Sequence, residues 1–437
     1  MNIYELTILL FSAMLLALAA GAPVGFSLGG IAMIFGFFLW GPSIFNIITQ
    51  TANPMFSSFI LLACPLYIYM GQILQKSGLA EAMFHAMHMV SGRLRGGLAI
   101  GVILVCTMVA AMVGIIGAGI ALAGSVALPP MLKRGYNLRL CLGSIMAGGG
   151  MGILIPPSIP MILFATMTNV SIGKMFIGGV GPGLVMSSLF ILYIGIRCYI
   201  NPSMGPALKK EELGSFKDKV IAIKDGGLAF GLIFVCLGSI ITGVATPTEA
   251  AALGVMGTIL ITLIYRRFSW SNLWEATKNS MRLNSMIIWI LIGASVFSNF
   301  HMFMGAGKLI SSGITDFNLS PRAVIVMMQL TMVLMGCIID DLIIVIICAP
   351  LFTPIAVQLG YDAVWFGILM ILNLEIAIMT PPYGFALFYM KAFAPEGVTM
   401  MEIYKSITPF LIIKFFVLGL VMVFPDIATW LPHLVFD

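Results

Sequence analysis

The chain contains 437 residues, of which 60% are hydrophobic and only 9% are charged, and its formal net charge at pH 7 is +5. A soluble domain carries about 25% charged residues, so this composition excludes a soluble globular protein. The basic residues are scattered between apolar segments, which is typical of residues that orient a protein in a lipid bilayer, and no nucleic acid is expected as a partner.

Apolar segments long enough to cross a bilayer recur along the chain. A membrane helix needs about 20 mostly apolar residues. The first segment has no basic leader and a second follows it almost at once, so we expect an uncleaved membrane helix rather than a signal peptide. The predicted spans lie near residues 4–22, 24–40, 55–74, 140–165, 175–198, 227–245, 249–265, 284–305, 364–390 and 408–430.

Two further apolar stretches, residues 97–131 and 323–354, are too long for one span. Glycines between positions 114 and 119 interrupt the first, and Asp340 and Asp341 interrupt the second. Both are predicted to be re-entrant hairpins. With the N-terminus outside and both hairpins re-entrant, 18 of the 22 lysines and arginines fall in inner loops, as the positive-inside rule requires.

An internal repeat relates the two halves of the chain at a displacement of 225 residues. Five predicted spans separate corresponding points, so the second half is predicted to be inverted in the membrane. Inverted repeats with interrupted helices at matching positions are typical of secondary transporters. The markers of the repeat are Gly-Tyr-Asn at 135–137 with Pro-Pro at 156–157, Gly-Tyr-Asp at 360–362 with Pro-Pro at 381–382, and prolines at 129 and 354.

The first Pro-Pro pair predicts a helix that unwinds inside the membrane. Pro156 and Pro157 lack amide hydrogens and cannot continue a regular helix, and Gly152 precedes them. The freed carbonyls need partners in hydrocarbon, which a cation such as Na⁺ can supply. The next helix N-terminus, near Ser158, carries a partial positive charge that favours a carboxylate.

The sequence Thr-Pro-Pro-Tyr-Gly at 380–384 repeats this arrangement in the second half. A proline kink packed by neighbouring helices is the alternative interpretation of either break alone. Because two breaks occur at matching positions of the repeat, the pair indicates an ion or substrate site.

A few ionisable residues fall inside predicted membrane segments, where a charge is costly enough to indicate a function or a partner. Asp340 is a candidate for the hairpin tip or an ion site. Glu375 is a candidate for cation or proton coupling, or it pairs with another residue inside the bundle. Lys414 is expected to lie in the last helix, away from both breaks, so that helix ends and bound Na⁺ hold the charge of the substrate.

The segment Thr-Pro-Thr-Glu at 246–249 predicts the start of a helix rather than a functional site. Thr246 would be the N-cap, Pro247 the first helical residue and Glu249 the third, which together form a capping box.

These motifs resemble the large membrane subunit of tripartite ATP-independent periplasmic (TRAP) transporters, the DctM-like family, from about residue 20 to 430. One departure lies at the first hairpin tip, where many relatives have Ser-Gly-Ser and this chain has Gly-Ile-Ile-Gly-Ala at 114–118, so only backbone carbonyls are expected to serve there. The residues that carry the resemblance are LPPMLKRGY at 128–136, GILIPPS at 152–158, GVGPG at 179–183, ATPTEAAA at 245–252, Asp340 with Pro350, GYDAVWFGI at 360–368 and TPPYG at 380–384.

The resemblance implies an all-α, inverted-repeat ion-transporter fold with about ten spanning helices, some of them broken, and two re-entrant hairpins. It implies an elevator-type, Na⁺-coupled importer of a small organic acid, a carboxylate or a sulfonate, in the bacterial inner membrane, with both termini on the periplasmic side. The implied partners are a small four-helix membrane subunit and a periplasmic substrate-binding protein. No enzymatic activity, catalytic residue or metal other than Na⁺ is expected.

The two breaks and the hairpin tips, together with the resemblance, suggest candidate site residues and a division of the chain. The candidate Na⁺ ligands are Gly114, Gly117, Gly152, Pro156, Asp340, Thr380 and Pro381. The candidate substrate-binding residues are Pro157, Ser158, Asn373, Pro382 and Gly384. The predicted units are scaffold helices at 1–54, a first repeat at 55–200, a cytoplasmic linker at 201–226, scaffold helices at 227–280 and a second repeat at 281–437.

Two alternatives remain at this level. A sodium–dicarboxylate symporter of the same superfamily would work without a binding protein. A channel or an intramembrane enzyme belongs to another class of protein. A channel needs no paired broken helices. An enzyme needs a convergent nucleophile and base, which the few ionisable residues in the apolar spans do not offer. The identity of the organic acid is left open.

Overall fold

The structure, a computed structural model, describes residues 3–78, 82–84, 87, 94–114, 116–207, 216–306, 320–337, 339–381 and 384–436. Within this part of the chain the secondary structure is helical, and no strand occurs. We number the principal helices α1 Ile3–Ala19, α2 Val24–Trp40, α3 Phe45–Phe56, α4 Ala63–Lys76, α5 Gly97–Val113, α6 Ile116–Lys133, α7 Leu138–Gly150, α8 Ile159–Thr168, α9 Ile172–Ile200, α10 Phe216–Ile241, α11 Pro247–Ile264, α12 Trp270–Phe303, α13 Pro321–Gly336, α14 Asp341–Gln358, α15 Ala363–Ala377, α16 Phe385–Phe393, α17 Met400–Val423 and α18 Asp426–Phe436.

Six helical segments of the described chain are long and apolar enough to cross a membrane: α2 together with α3, α9, α11, α12, α14 and α17. The predicted all-α membrane fold is therefore confirmed. The two predicted hairpins correspond to α5–α6 and α13–α14, whose arms pack against each other. The two predicted broken helices correspond to α7–α8 and α15–α16.

The predicted repeat holds for the helices as well as for the sequence markers. Helices α6 and α7 begin at Ile116 and Leu138, and their counterparts α14 and α15 begin 225 residues later, at Asp341 and Ala363. The halves differ near their starts, because α12 is one continuous helix of 34 residues whereas α3 and α4 are separate.

The Gly-Tyr-Asn and Gly-Tyr-Asp markers join a hairpin to a broken helix in each half. Gly135 and Gly360 have φ of +73° and +87°, which a glycine adopts at little cost after a helix end. Two residues later, Asn137 and Asp362 cap the next helix, and the Asp362 carboxylate accepts a hydrogen bond from the Trp365 amide at 2.8 Å. The markers therefore encode the turn between the two elements.

Packing between the halves is crosswise. Helix α6 of the first hairpin packs on α7 and also on α16 of the second broken helix, while α14 of the second hairpin packs on α15 and on α8 of the first. This exchange is the packing that a two-fold relation between inverted repeats produces. We call α5–α8 and α13–α16 together the crossed core.

Helices α2, α4, α11 and α12, the flanking helices, pack on one another beside the crossed core. Small residues allow α2 and α12 to approach closely, because a Cβ placed on Gly293 would lie 2.0 Å from the carbonyl oxygen of Gly25. Helix α11 begins as predicted, with a complete capping box between Thr246 and Glu249.

Several boundaries differ from the predicted ones, and two of them change how the chain is divided. Helix α10 begins at Phe216, inside the predicted linker. The last predicted span, 408–430, is two helices, because α17 begins earlier and ends at Val423, and α18 begins at Asp426 after Pro425. The assignment of residues to scaffold and repeat units stays a prediction.

Candidate transport site

The first broken helix separates inside the apolar region. Helix α7 ends at Gly150, a short 3₁₀ turn covers Met151–Ile153, and α8 begins at Ile159. Helices of 13 and 10 residues are each shorter than the roughly 20 residues that span a bilayer, so only the two together can cross it.

Some backbone carbonyls at this break have no amide donor among the described residues. The Ser158 hydroxyl donates to the carbonyl of Ile153 at 2.5 Å and accepts from the Met161 amide, which makes Ser158 the N-cap of α8. Among the described residues, no backbone amide donates to the carbonyls of Ile155, Pro156 or Pro157. Such groups, together with a helix N-terminus, suit a bound cation beside an anion.

The tip of the first hairpin lies against this break. Gly114 has φ of +63°, and a Cβ placed on it would lie 3.1 Å from the Pro157 carbonyl oxygen. The structure therefore brings together two candidate residues that are 43 positions apart in the chain. The neighbouring tip residue Ile115 lies outside the described residues.

The second broken helix is interrupted between Ala377 and Phe385. Here the Gly384 amide donates to the Thr380 carbonyl at 3.2 Å, and the Thr380 hydroxyl donates to the carbonyl of Ile376 at 2.7 Å. The Thr380 hydroxyl oxygen can still accept or ligate. Pro381 follows directly, whereas the candidate Pro382 lies outside the described residues.

Asp340 lies at the tip of the second hairpin, as predicted for that residue. It is half-buried and caps α14 by accepting a hydrogen bond from the Leu342 amide at 3.1 Å. Tyr389 on α16 lies against the tip of the first hairpin. The same ring meets Gly117, where a Cβ would lie 2.7 Å from its Cζ. Tyr389, which sequence reasoning missed, thus connects the second broken helix to the first hairpin.

The two breaks meet in the middle of the crossed core. A Cβ placed on Gly150 would lie 2.1 Å from Cε of Met379, two residues beyond the end of α15. The same Cβ would lie 2.9 Å from Nζ of Lys414. A glycine at position 150 therefore makes room for side chains from the second half.

The position of Lys414 differs from the one expected from the sequence. We expected it in the last helix and away from both breaks, but α17 packs on α7 and α15, and its lysine reaches between them. Its ammonium donates to Glu375 at 3.2 Å, and both side chains are fully buried. Glu375 thus pairs inside the bundle. The sequence contained a signal for this ion pair, namely opposite charges in two apolar spans, because ionisable residues inside a membrane are usually paired.

Asn373 is fully buried on α15, and its amide donates to the backbone and side-chain oxygens of Gln329 on α13, each at 2.8 Å. The contact ties the second hairpin to the second broken helix. The Oδ1 atom of Asn373 has no partner among the described residues.

A cavity of about 700 Å³ lies between parts of the crossed core, on α8 and α14, and parts of α3 and α12. Its lining is rich in uncharged hydroxyl and amide groups, which include Thr51, Ser58, Thr166, Asn169, Ser298 and Asn299. Polar lining of this kind indicates a water-accessible space between the crossed core and the helices beside it.

Two hairpins and two interrupted helices, packed crosswise, define a secondary transporter of the inverted-repeat type. Residues 11–427 match the family described as the tripartite ATP-independent periplasmic transporter, DctM component. The chain belongs to this family, which confirms the resemblance in the sequence.

Two relatives and one solved structure agree with this assignment. The chain is 30% identical to the C4-dicarboxylate TRAP transporter large permease protein DctM of Vibrio cholerae, over 98% of this chain and 97% of the relative. It is 32% identical to the protein of that name from Pseudomonas aeruginosa, over 86% of each chain. The Alcanivorax borkumensis YdaH transporter shares the fold, with a TM-score of 0.62 at 14% identity over 91% of this chain and 89% of that one.

Proposed function

We propose that the chain is the membrane permease of a Na⁺-coupled secondary transporter that imports a small organic acid across the bacterial inner membrane. The observation that carries the proposal is the meeting of two interrupted helices with two hairpin tips inside an apolar core. Coupled transport needs a cation and a substrate to bind close together, and broken helices supply carbonyls for the one and helix N-termini for the other.

The candidate cation ligands divide between the two breaks. At the first, the carbonyls of Pro156 and Gly152 lie in the segment that the tip at Gly114 approaches. At the second, Thr380 and Pro381 lie in the break, and Asp340 lies at the tip of the hairpin that packs on α15. Hard oxygen donors of this kind suit Na⁺.

The substrate is proposed to be a carboxylate or a sulfonate. The N-termini of α8 and α16, at Ser158 and Gly384, would attract its charge. Both relatives described above are named for C4-dicarboxylates, which are acids of this class. Lys414 is occupied by Glu375 and is not required as a partner for the anion.

Alternating access is proposed to follow an elevator mechanism, in which the crossed core moves against the flanking helices. The polar cavity between the crossed core and α3 with α12 supports this, because it leaves that interface incompletely packed. A small four-helix membrane subunit would join the flanking helices, and a periplasmic binding protein would deliver the substrate.

Uptake into proteoliposomes tests the proposal. With the chain, its small subunit and a substrate-loaded binding protein, we expect uptake of a C4-dicarboxylate or another organic acid only under an inward Na⁺ gradient. Equal uptake in potassium or choline buffer would contradict Na⁺ coupling. Equal uptake without the binding protein would favour the binding-protein-independent symporter instead.

A further inference from the structure

The Lys414–Glu375 ion pair lies where the two repeats meet. The displacement of 225 residues that relates the halves relates Glu375 to Gly150. The Lys414 ammonium lies 3.2 Å from the Glu375 carboxylate and 2.9 Å from the Cβ position of Gly150. The Lys414 ammonium therefore lies between two positions that the repeat makes equivalent, near the ends of α7 and α15, where the breaks begin.

Only one of the two repeats contains this pair. The repeat counterparts of Glu375 and Lys414 are Gly150 and Leu189, so the first half builds the equivalent contact from uncharged residues. Burial of two ions carries a desolvation penalty, and well-packed apolar residues in their place are often equally or more stable. A pair retained at such a cost, in one half only, indicates a role other than stability.

The pair is also incompletely bonded. Lys414 has three donors, and within the described chain its hydrogen bond goes to one oxygen of Glu375, whereas the other carboxylate oxygen has no partner. The pair is therefore held by its position between α7, α15 and α17 rather than by a network of hydrogen bonds.

We propose that Lys414 and Glu375 are positioning residues that hold the ends of α7 and α15 in register, and thereby set the geometry of the cation site at the two breaks. This inference rests on the proposed Na⁺ coupling. Loss of the pair would let the breaks shift relative to each other, which weakens cation binding more than it weakens folding.

The test replaces both charges at once, in the variant Glu375→Leu with Lys414→Met. The full chain in detergent is melted at increasing NaCl, with choline chloride keeping the ionic strength constant, because a bound ion raises the melting temperature according to its affinity. We expect the paired variant to melt near the wild-type temperature in choline chloride. It should need about tenfold more Na⁺ for the same rise in melting temperature, which is the size of effect seen when a residue that orients a metal ligand is lost.

Two further variants keep the test decisive. Gly150→Ala leaves both charges but places a methyl group against the Met379 side chain and the Lys414 ammonium, which forces the ends of α7 and α15 apart. It should shift the Na⁺ titration in the same direction even if the paired variant fails to fold. Lys405→Met, which removes an exposed lysine from the same helix, should leave the titration unchanged.

The outcomes separate the two proposals. A wild-type chain that melts identically in NaCl and choline chloride contradicts Na⁺ coupling and with it the role of the pair. A wild-type chain that responds to Na⁺, with paired and Gly150→Ala variants that titrate like it, overturns only the positioning role and leaves a structural ion pair.

Discussion

Gly114 and Gly135 have almost the same backbone conformation, with φ of +63° and +73°, but different surroundings. A Cβ at Gly135 meets nothing within 4 Å, whereas at Gly114 it meets the Pro157 carbonyl oxygen at 3.1 Å. Alanine at either site should therefore carry a similar backbone strain of about 1 kcal/mol. Only Gly114→Ala should also move the hairpin tip away from the break.

We therefore expect Gly114→Ala to reduce uptake at least several-fold at normal abundance, while Gly135→Ala transports nearly as well as the wild type. Uptake normalised to membrane-inserted protein measures the difference. Equal loss in both variants would indicate that backbone strain alone, and not contact with the break, is responsible.

The prolines of the breaks give a second prediction for single residues. Pro156→Ala and Pro381→Ala each restore an amide hydrogen that can donate to the carbonyl four residues earlier, as in a helix. Each should lower uptake more than it lowers abundance, because the carbonyls proposed to bind Na⁺ would join helical hydrogen bonds. Pro432→Ala, inside α18 and away from both breaks, is the control. Variants of the break prolines that retain full uptake would contradict the ion site.

For whole elements, the crossing of α2 and α12 is the clearest case of close packing outside the core. Gly293→Ala would place a methyl group 2.0 Å from the Gly25 carbonyl oxygen, so the helices must separate. Without a hydrophobic force between helices in lipid, this contact depends on close van der Waals approach.

We expect Gly293→Ala to lower the melting temperature of the purified chain and its abundance in the membrane. Gly419→Ala on α17, where a Cβ meets nothing within 4 Å, should be neutral or slightly stabilising because alanine favours a helix over glycine by up to about 1 kcal/mol. Equal melting temperatures for the two variants would show that the crossing tolerates separation.

For the whole molecule, the inverted repeat predicts opposite orientations for equivalent sites. Lys133 and Gln358 are repeat counterparts, and each is exposed at the end of a hairpin arm, α6 and α14. Cysteines at these positions should react with an impermeant maleimide from opposite faces, position 133 from the cytoplasm and position 358 from the periplasm.

Labelling of intact and lysed cells distinguishes the faces. The unmodified chain provides the background, since six of its seven cysteines are buried and Cys337 is half-buried. Labelling of both positions from the same face would contradict the inverted topology and the proposed orientation of the site.

Much of this architecture follows from local rules that can be applied to the sequence alone. The hairpins and broken helices were predictable because apolar length, proline and glycine act within a few residues. The repeat was visible because Gly135 and Gly360 end helices, and Asn137 and Asp362 begin the next ones, by local chemistry.

The sequence by itself therefore determined the membrane fold, the family, the repeat and the two breaks. Only the tertiary structure decided which side chains meet at them. The reach of Lys414 to Glu375, the contact of Gly114 with Pro157 and the contact of Tyr389 with Gly117 depend on how the helices cross. Periodicity and composition describe which residues share an element, but crossing angles are set by packing between side chains that lie hundreds of residues apart.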